Sequence, residues 1–148
     1  MISVDEGKIV TEAAWDSEPH QRTRRDHTTE KAEDYVEAIA DILDKQDTCR
    51  ITHLAKQFAV SHVTVHRIVE RLQNEGLVMT KPYQPITLTA KGKRLASMCR
   101  QRHKIVYRFL LAIGIDEITA AMDAEGIEHH VSPTTLKRLE ELAEELAG

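Results

Sequence analysis

Two short amphipathic segments lie almost next to each other in this chain, and their spacing constrains the fold more than any other feature. Thr52 and Ser61 are of the residue types that cap helix N-termini, and each precedes apolar residues at helical spacing. Only Ala59 and Val60 separate the first segment from the cap of the second. Two helices joined so closely must turn sharply, which predicts a tight helix-turn-helix. The predicted interior positions are Leu54, Ala55 and Phe58 in the first helix and Val65, Ile68, Val69 and Leu72 in the second.

Patterns on both sides of these segments extend the unit. Apolar residues at helical spacing predict a helix over residues 29–45, before the pair. After Gly76, which can end a helix in the left-handed conformation, residues 77–81 and 86–89 are β-like and flank a proline-containing turn. A helix, a helix-turn-helix, a hairpin and another helix follow one another in the order of a winged helix-turn-helix.

The C-terminal part is predicted to be helical throughout. Thr89 can cap a long helix over residues 90–113, and a further helix is expected over residues 116–130. Ser132 and Pro133 mark the last helix, because a cap residue followed by proline is typical of a helix start. The expected fold is mostly α: an N-terminal winged helix-turn-helix with a small two-stranded wing, followed by an all-helical dimerisation domain.

Charge is strongly segregated along the chain. The net charge is −4, yet residues 45–108 contain thirteen Lys and Arg against three acidic residues, and both ends are acidic. A basic middle of this kind is the electrostatic footprint of a DNA-binding segment. No long apolar run or signal peptide is evident, so the protein is expected to be cytoplasmic and without a membrane partner. Cys49 and Cys99 are too far apart in sequence to favour a zinc ribbon or a disulfide framework.

The second helix of a winged helix-turn-helix enters the major groove, where its N-terminal residues meet base edges. Thr64 and Arg67 are predicted to read bases, whereas Ser61 and Lys81 are predicted to contact phosphates. For the histidines of this helix, a DNA contact and a plain surface position are equally open. The predicted DNA-binding residues are Ser61, His62, Thr64, His66, Arg67, Arg71 and Lys81.

A single winged helix reads only a few base pairs, so two-fold symmetry and a palindromic double-stranded operator are the usual solution. The chain is therefore expected to act as a homodimer. The apolar run over residues 105–113 and the C-terminal helix are the predicted dimer surface, although packing within one chain is the open alternative.

A candidate metal site lies near the C-terminus. On a helix, Glu125, Glu128 and His129 stand at positions i, i+3 and i+4 and share one face. Two carboxylates and an imidazole without a thiol suit Mn²⁺ or Fe²⁺ better than a structural zinc ion. The plain alternative is an acidic, solvated helix face.

Three stretches together carry a family resemblance: residues 33–37 (Glu-Asp-Tyr-Val-Glu), residues 102–103 (Arg-His) with Phe109 and Leu110, and residues 125–130 (Glu-Gly-Ile-Glu-His-His). From about residue 29 onward, the chain resembles the diphtheria toxin repressor family of metalloregulators, and within it the manganese-responsive members. The resemblance implies a repressor of manganese uptake that binds two Mn²⁺ ions per subunit. The implied metal ligands are Asp34, Glu37, His103, Glu125, Glu128 and His129, with Asp123 and His130 bordering the site.

Three other functions remain open at this point. An iron-responsive regulator of the same family is the nearest one, although that branch typically has Met and Cys where this chain has Asp34 and Glu125. Fe²⁺ and other divalent ions are thus not excluded. A dinuclear metallohydrolase is disfavoured because no general base stands beside the ligands, and a metal-buffering protein would not need the helix-turn-helix. The chain is predicted not to be an enzyme and to take no small organic substrate.

The predicted organisation has three parts. Residues 1–28 lack sustained periodicity and form a flexible tail, residues 29–95 form the winged helix-turn-helix, and residues 96–148 form a helical metal-binding and dimerisation domain.

Overall fold

The computed structural model describes residues 12–148, with side chains described from residue 28 onward. Within these residues, helices surround one two-stranded antiparallel sheet, so the mostly α fold with a winged helix-turn-helix and a helical second domain is confirmed. In chain order the elements are α1 (Glu12–Lys45), α2 (Ile51–Phe58), α3 (His62–Asn74), β1 (Val78–Met79), β2 (Thr87–Leu88), α4 (Ala90–Ala112), α5 (Glu117–Ile127), a 3₁₀ turn (Glu128–His130) and α6 (Pro133–Ala147).

The helix-turn-helix forms where its sequence pattern predicts it. Ser61 is the N-cap of α3, and its Oγ accepts a hydrogen bond from the Thr64 amide at 3.2 Å. The predicted Thr52 cap of α2 is wrong, because α2 already begins at Ile51 and has Arg50 at the N-cap. There the Arg50 amide donates to His53 Nδ1 at 2.9 Å, so an imidazole within the first turn binds the amide at the helix start.

The wing is shorter than its β-like sequence. Val78 pairs with Leu88 and Met79 with Thr87, and a further bridge joins Ile86 to Cys49 before α2. Gly76 has a φ of 74°, the left-handed conformation predicted for it. Val78, Ile86 and Leu88 are buried in the first hydrophobic core, which joins the wing to the helices.

Helix α1 begins at Glu12, well before the predicted start at about residue 29. Part of the predicted flexible tail is therefore helical, and residues 1–11 lie outside the described residues. The C-terminal half of α1 lies in the first hydrophobic core, where Tyr35, Val36 and Ile39 are buried against α2, α3 and the wing.

A second, smaller core joins α4, α5 and α6. Val106 and Leu110 of α4 are buried there against Ala120 and Ala124 of α5. These two α4 residues belong to the run predicted at the dimer surface, and this part of the prediction is wrong because they fill the core of their own chain. Exposed apolar side chains nevertheless remain at Ile113, Ile118 and Met122. Among the described residues, no helix combines the length and the apolarity that crossing a bilayer requires.

Candidate metal centre and nucleic-acid interface

Two groups of metal-capable side chains meet where α1 approaches the second core. The first group consists of His103 from α4, Glu125 from α5 and Glu128 from the 3₁₀ turn. The second consists of Glu30 and Asp34 from α1 and His129 from the turn. In each group, one ligand atom from each residue lies within 4.8 Å of the others.

The turn that follows α5 orients this centre. The predicted helix over residues 116–130 ends instead at Ile127, and Glu128 to His130 form a tighter 3₁₀ turn. Glu125, Glu128 and His129 therefore do not share one regular helix face. The tighter winding points Glu125 and Glu128 toward His103 and turns His129 toward α1, which divides the three between two groups.

Glu128 lies between the two groups. Its Oε2 is 4.0 Å from His103 Nδ1, and its Oε1 is 3.5 Å from His129 Nε2. His103 Nδ1 is also 3.3 Å from Glu125 Oε1, and His129 Nε2 is 2.9 Å from Asp34 Oδ1. Glu128 would therefore be available to a cation in either group.

Several ligand atoms of this centre are buried without a hydrogen bond to the described residues. Five of these atoms are buried and form no hydrogen bond with any residue that the structure describes: Oε1 and Oε2 of Glu128, Oε1 of Glu37, Nδ1 of His103 and Nε2 of His129. Glu128 is fully buried. An ionised carboxylate without a partner is very costly in such a place, so the donor set fits a bound cation.

Electrostatics agree with that fit. Burial, followed by the charge of Glu37, raises the pKa of Glu128 to about 8. Burial, followed by the charge of Glu125, raises the pKa of Glu37 to about 7. Burial alone would lower the pKa of His129, but the carboxylates of Asp34 and Glu33 raise it to about 10. Without a metal ion, protons must therefore supply the positive charge that these carboxylates need.

Behind His129 lies a partly buried ion pair that the sequence analysis did not single out. Glu33 Oε2 accepts from Arg102 Nη2 at 2.5 Å and lies 2.6 Å from His129 Nδ1. Burial would raise the pKa of Glu33, but the hydrogen bonds from His129 and Arg102 lower it. A carboxylate on Nδ1 fixes the ring orientation and leaves Nε2 directed at the ligand group, as with many metal-bound histidines. Glu33 and Arg102 were visible only as parts of the family motifs.

Five of the six predicted ligands lie in the two groups, Glu37 lies outside them, and Glu30 is a member that was not predicted. Glu37 belongs to neither close group, although with Asp34 and Glu125 it lines an open crevice of about 460 Å³ beside them. Glu30, which the sequence analysis missed, lies in the second group. Of the two bordering residues, His130 lies 3.0 Å from Glu30 through its Nε2, and Asp123 is exposed. As metal ligands, the six residues remain a prediction.

The predicted DNA-binding residues fall into two classes. Five of them are exposed: Ser61 at the cap of α3, His62, His66 and Arg67 on α3, and Lys81 on the wing. Thr64 and Arg71 are half-buried. Thr64 shares a 2.9 Å hydrogen bond between hydroxyls with Ser61.

Arg71 is already engaged within the chain. Its Nη2 donates to the carbonyl oxygen of Thr28 at 3.0 Å, and its Nε lies 3.5 Å from Glu75. The sequence analysis also omitted Val63, which is 67% exposed in the first turn of α3. Such a side chain is suited to apolar contact with a thymine methyl group. These contacts all remain predictions.

Comparison with known proteins decides the family. Residues 27–86 match the family described as "Iron dependent repressor, N-terminal DNA binding domain", and residues 89–147 match "Iron dependent repressor, metal binding and dimerisation domain". The chain belongs to the iron-dependent repressor family. It is a DNA-binding transcriptional regulator with a divalent metal as cofactor, and the prediction that it is not an enzyme is confirmed by this membership.

Named relatives point in the same direction. The chain is 40% identical over 119 residues to the transcriptional regulator MntR of Escherichia coli O157:H7, a match that covers 80% of this chain and 77% of that protein. It is 32% identical over 117 residues to the HTH-type transcriptional regulator MntR of Bacillus subtilis strain 168, covering 79% and 82%.

Solved structures share the fold. A manganese-dependent transcriptional repressor in complex with manganese matches with a TM-score of 0.68 at 29% identity, covering 76% of this chain and 52% of that chain. The manganese regulator SloR matches with a TM-score of 0.65 at 28% identity, covering 75% and 52%. The chain therefore spans about half the length of these solved relatives.

Proposed function

We propose that this regulator responds to manganese: two Mn²⁺ ions per subunit bind between α1 and the second domain and favour operator binding. The observation that carries the proposal is the state of Glu128. Its carboxylate is fully buried, neither oxygen has a hydrogen-bond partner among the described residues, and the two oxygens face different ligand groups. A pair of cations on its two sides would satisfy both oxygens.

The donor set supports manganese rather than a softer metal. Carboxylates and imidazoles are the only donors in the two groups found among the described residues, and neither cysteine takes part. Hard oxygen donors with a minority of nitrogen suit Mn²⁺, whereas thiolate or thioether donors would shift the preference toward softer ions. The names of the MntR relatives and of the solved manganese-dependent repressor support the same choice.

The arrangement also gives the protein a means of coupling metal to DNA. Asp34 and Glu37 belong to the helix that enters the core of the DNA-binding domain, whereas His103, Glu125 and Glu128 belong to the second domain. Four carboxylates held together repel one another, and this repulsion adds to burial, the larger cause, in raising the pKa values of Glu37 and Glu128. When bound, the ions supply the positive charge that removes it, and the ligands then tie α1 to the second domain.

The DNA partner follows from the geometry of the family fold. The matched C-terminal family model is described as a dimerisation domain, and a dimer has two recognition helices, so we propose a palindromic operator whose half-sites lie on successive major grooves. Repression of manganese uptake genes is the function that such coupling serves best, because the regulator would then bind DNA when manganese is plentiful. A cytoplasmic location accompanies this role.

Fluorescence anisotropy with a labelled palindromic operator tests the proposal. Mn²⁺ should raise operator affinity by about 5–150-fold, the range of ordinary allosteric coupling. Repeating the titration with Fe²⁺ at matched free metal, and with Asp34→Met and Glu125→Cys, tests the ligands. These variants should lose the preference for Mn²⁺. Operator affinity that does not change with Mn²⁺ would exclude the proposal, and an unchanged metal profile in the two variants would exclude the ligand assignment.

A further inference from the structure

Glu30 stands one helical turn before Asp34 on α1, so that both side chains project from the same face of the helix. Its carboxylate, the Asp34 carboxylate and the His129 imidazole bring their ligand atoms within 4.8 Å of one another. Glu30 is half-buried and lines the same open crevice as Asp34 and Glu37. The crevice gives an ion and its water molecules a path to this position.

His129 gives an independent sign that a cation belongs there. Its side chain is 1% exposed, and Glu33 on Nδ1 leaves Nε2 as the ring nitrogen that faces Asp34. Among the described residues, none forms a hydrogen bond with that Nε2, although Asp34 Oδ1 lies only 2.9 Å away. A buried nitrogen facing carboxylate oxygens without a hydrogen bond has the environment of a metal ligand.

We propose that Glu30 is a further metal ligand, which joins Asp34 and His129 around one of the two ions. This inference rests on the proposed function. With Glu30, α1 and the turn would offer that ion two carboxylates and one imidazole, and Glu37 and Glu128 lie close by. Six hard donors are typical of Mn²⁺, so an extra carboxylate leaves fewer positions to water.

His130 gives Glu30 an alternative partner. Its Nε2 lies 3.0 Å from Glu30 Oε2, and its ring stands nearly perpendicular to that of His129, with centroids 6.5 Å apart. The Glu30 carboxylate can therefore contact either His130 or the ion beside His129. If the pair with His130 were the whole role of Glu30, removing either partner would have the same effect. If Glu30 is a ligand, the two substitutions differ.

The experiment compares Glu30→Gln, His130→Gln and the control Glu70→Gln, which changes an exposed carboxylate on α3 that belongs to neither ligand group. Mn²⁺ binding to each full-length variant is measured without DNA, by calorimetry and by the electron paramagnetic resonance signal of free Mn²⁺. Thermal unfolding of the metal-free proteins shows whether each variant is folded.

We expect Glu30→Gln to weaken one of the two Mn²⁺ binding steps by at least about ten-fold, because a charged ligand is lost. We expect His130→Gln to leave that step unchanged or tighter, since Glu30 is then released for the ion, and Glu70→Gln to behave as the wild type. Equal weakening by Glu30→Gln and His130→Gln would overturn the inference, and so would an unchanged Glu30→Gln. A wild type that did not bind two Mn²⁺ ions would contradict the proposed function. A wild type that binds two ions, with a Glu30→Gln variant that binds them equally well, would contradict only the role of Glu30.

Discussion

At the scale of single residues, the partly buried pair between Glu33 and Arg102 supports the metal centre from behind. Glu33 has a 5% exposed side chain and contacts both Arg102 and His129 Nδ1. Glu33→Gln would leave Arg102 without a counterion in a mostly buried place, which should lower the free energy of unfolding by about 3–5 kcal/mol. It should also weaken Mn²⁺ binding by about 10–100-fold, because the imidazole loses the carboxylate that orients it. Urea unfolding and calorimetric Mn²⁺ titration measure the two effects.

The control for Glu33→Gln is an exposed ion pair on α6. Arg138 Nη1 lies 3.3 Å from Glu141 Oε2, and both side chains are exposed. Glu141→Gln should cost less than about 1 kcal/mol and leave Mn²⁺ affinity unchanged. Similar effects of the two substitutions would contradict a special role for Glu33.

The raised pKa values at the centre predict how stability depends on pH. Glu37 and Glu128 have pKa values of about 7 and about 8, above the ordinary value of 4.5, and that of His129 is raised from 6.5 to about 10. The metal-free native state thus holds more protons than the unfolded chain, so its stability should fall as pH rises from about 5 to about 10. Glu33, whose pKa is lowered, acts in the opposite sense, losing its stabilising effect only as pH falls through the acidic range.

Metal binding should show the reverse dependence. The ligands must lose protons to bind an ion, so Mn²⁺ affinity should increase over the same pH window and binding should release protons. Calorimetry in buffers of different ionisation enthalpy counts those protons, and thermal unfolding with and without Mn²⁺ gives the stabilisation at each pH. Mn²⁺ should raise the unfolding temperature more at about pH 8 than at about pH 6. An equal rise at about pH 6 and pH 8 would contradict the loss of protons from the ligands on Mn²⁺ binding.

At the scale of elements, the sequence correctly predicted the features that depend on a few neighbouring residues, such as helix caps. The caps at Ser61, Thr89 and Ser132, each accepting from the amide three residues later, lie where they were expected. These features depend on one side chain and its nearest backbone, so a short stretch of sequence suffices to find them.

Features that depend on packing between elements were not predicted. Glu30 and Glu33 appear in the sequence as two more acids on a charged helix, and only the approach of the 3₁₀ turn and Arg102 distinguishes them. For the same reason, the break between α5 and that turn was missed. The periodicity of residues 116–130 continues through it, and contacts with α1 and α4 determine where the helix tightens.

One close approach between elements can be tested by substitution. Gly92, in the first turn of α4, is buried, and a Cβ there would lie 2.1 Å from the carbonyl oxygen of Leu77. Backbone at that distance cannot yield without moving α4 away from the wing, so Gly92→Ala should lower the free energy of unfolding by about 1–3 kcal/mol or more. Urea unfolding measures the loss.

Gly126 provides the matched control, because it also lies in a helix but a Cβ added to it would meet none of the described residues within 4 Å. Gly126→Ala should therefore raise the free energy of unfolding by up to about 1 kcal/mol, the difference in helix propensity between the two residues. Destabilisation by Gly126→Ala as large as that by Gly92→Ala would show that loss of glycine, and not the contact with Leu77, is responsible.

At the scale of the whole molecule, α4 connects the two cores. Ala96 near its start lies in the first core, whereas Val106 and Leu110 lie in the second. Arg100 reinforces the link at the surface, with its Nη2 at 2.6 Å from Asp41 and 2.8 Å from Asp44 on α1. The two domains are thus already joined without metal, and the ions act on the junction between α1 and the 3₁₀ turn.

Metal and DNA bind to the same protein, so any effect of one on the affinity for the other must be reciprocal. If Mn²⁺ raises operator affinity by a given factor, saturating operator must raise Mn²⁺ affinity by the same factor, whatever the pathway between the sites. Arg67→Ala supplies the control: this exposed residue is predicted to contact DNA, so its loss should weaken operator binding while Mn²⁺ affinity of the free protein stays at the wild-type value. Mn²⁺ titrations by calorimetry, with and without operator, measure the factor directly. If neither ligand changed the affinity for the other, the two sites would not be coupled and the junction would play no part in regulation.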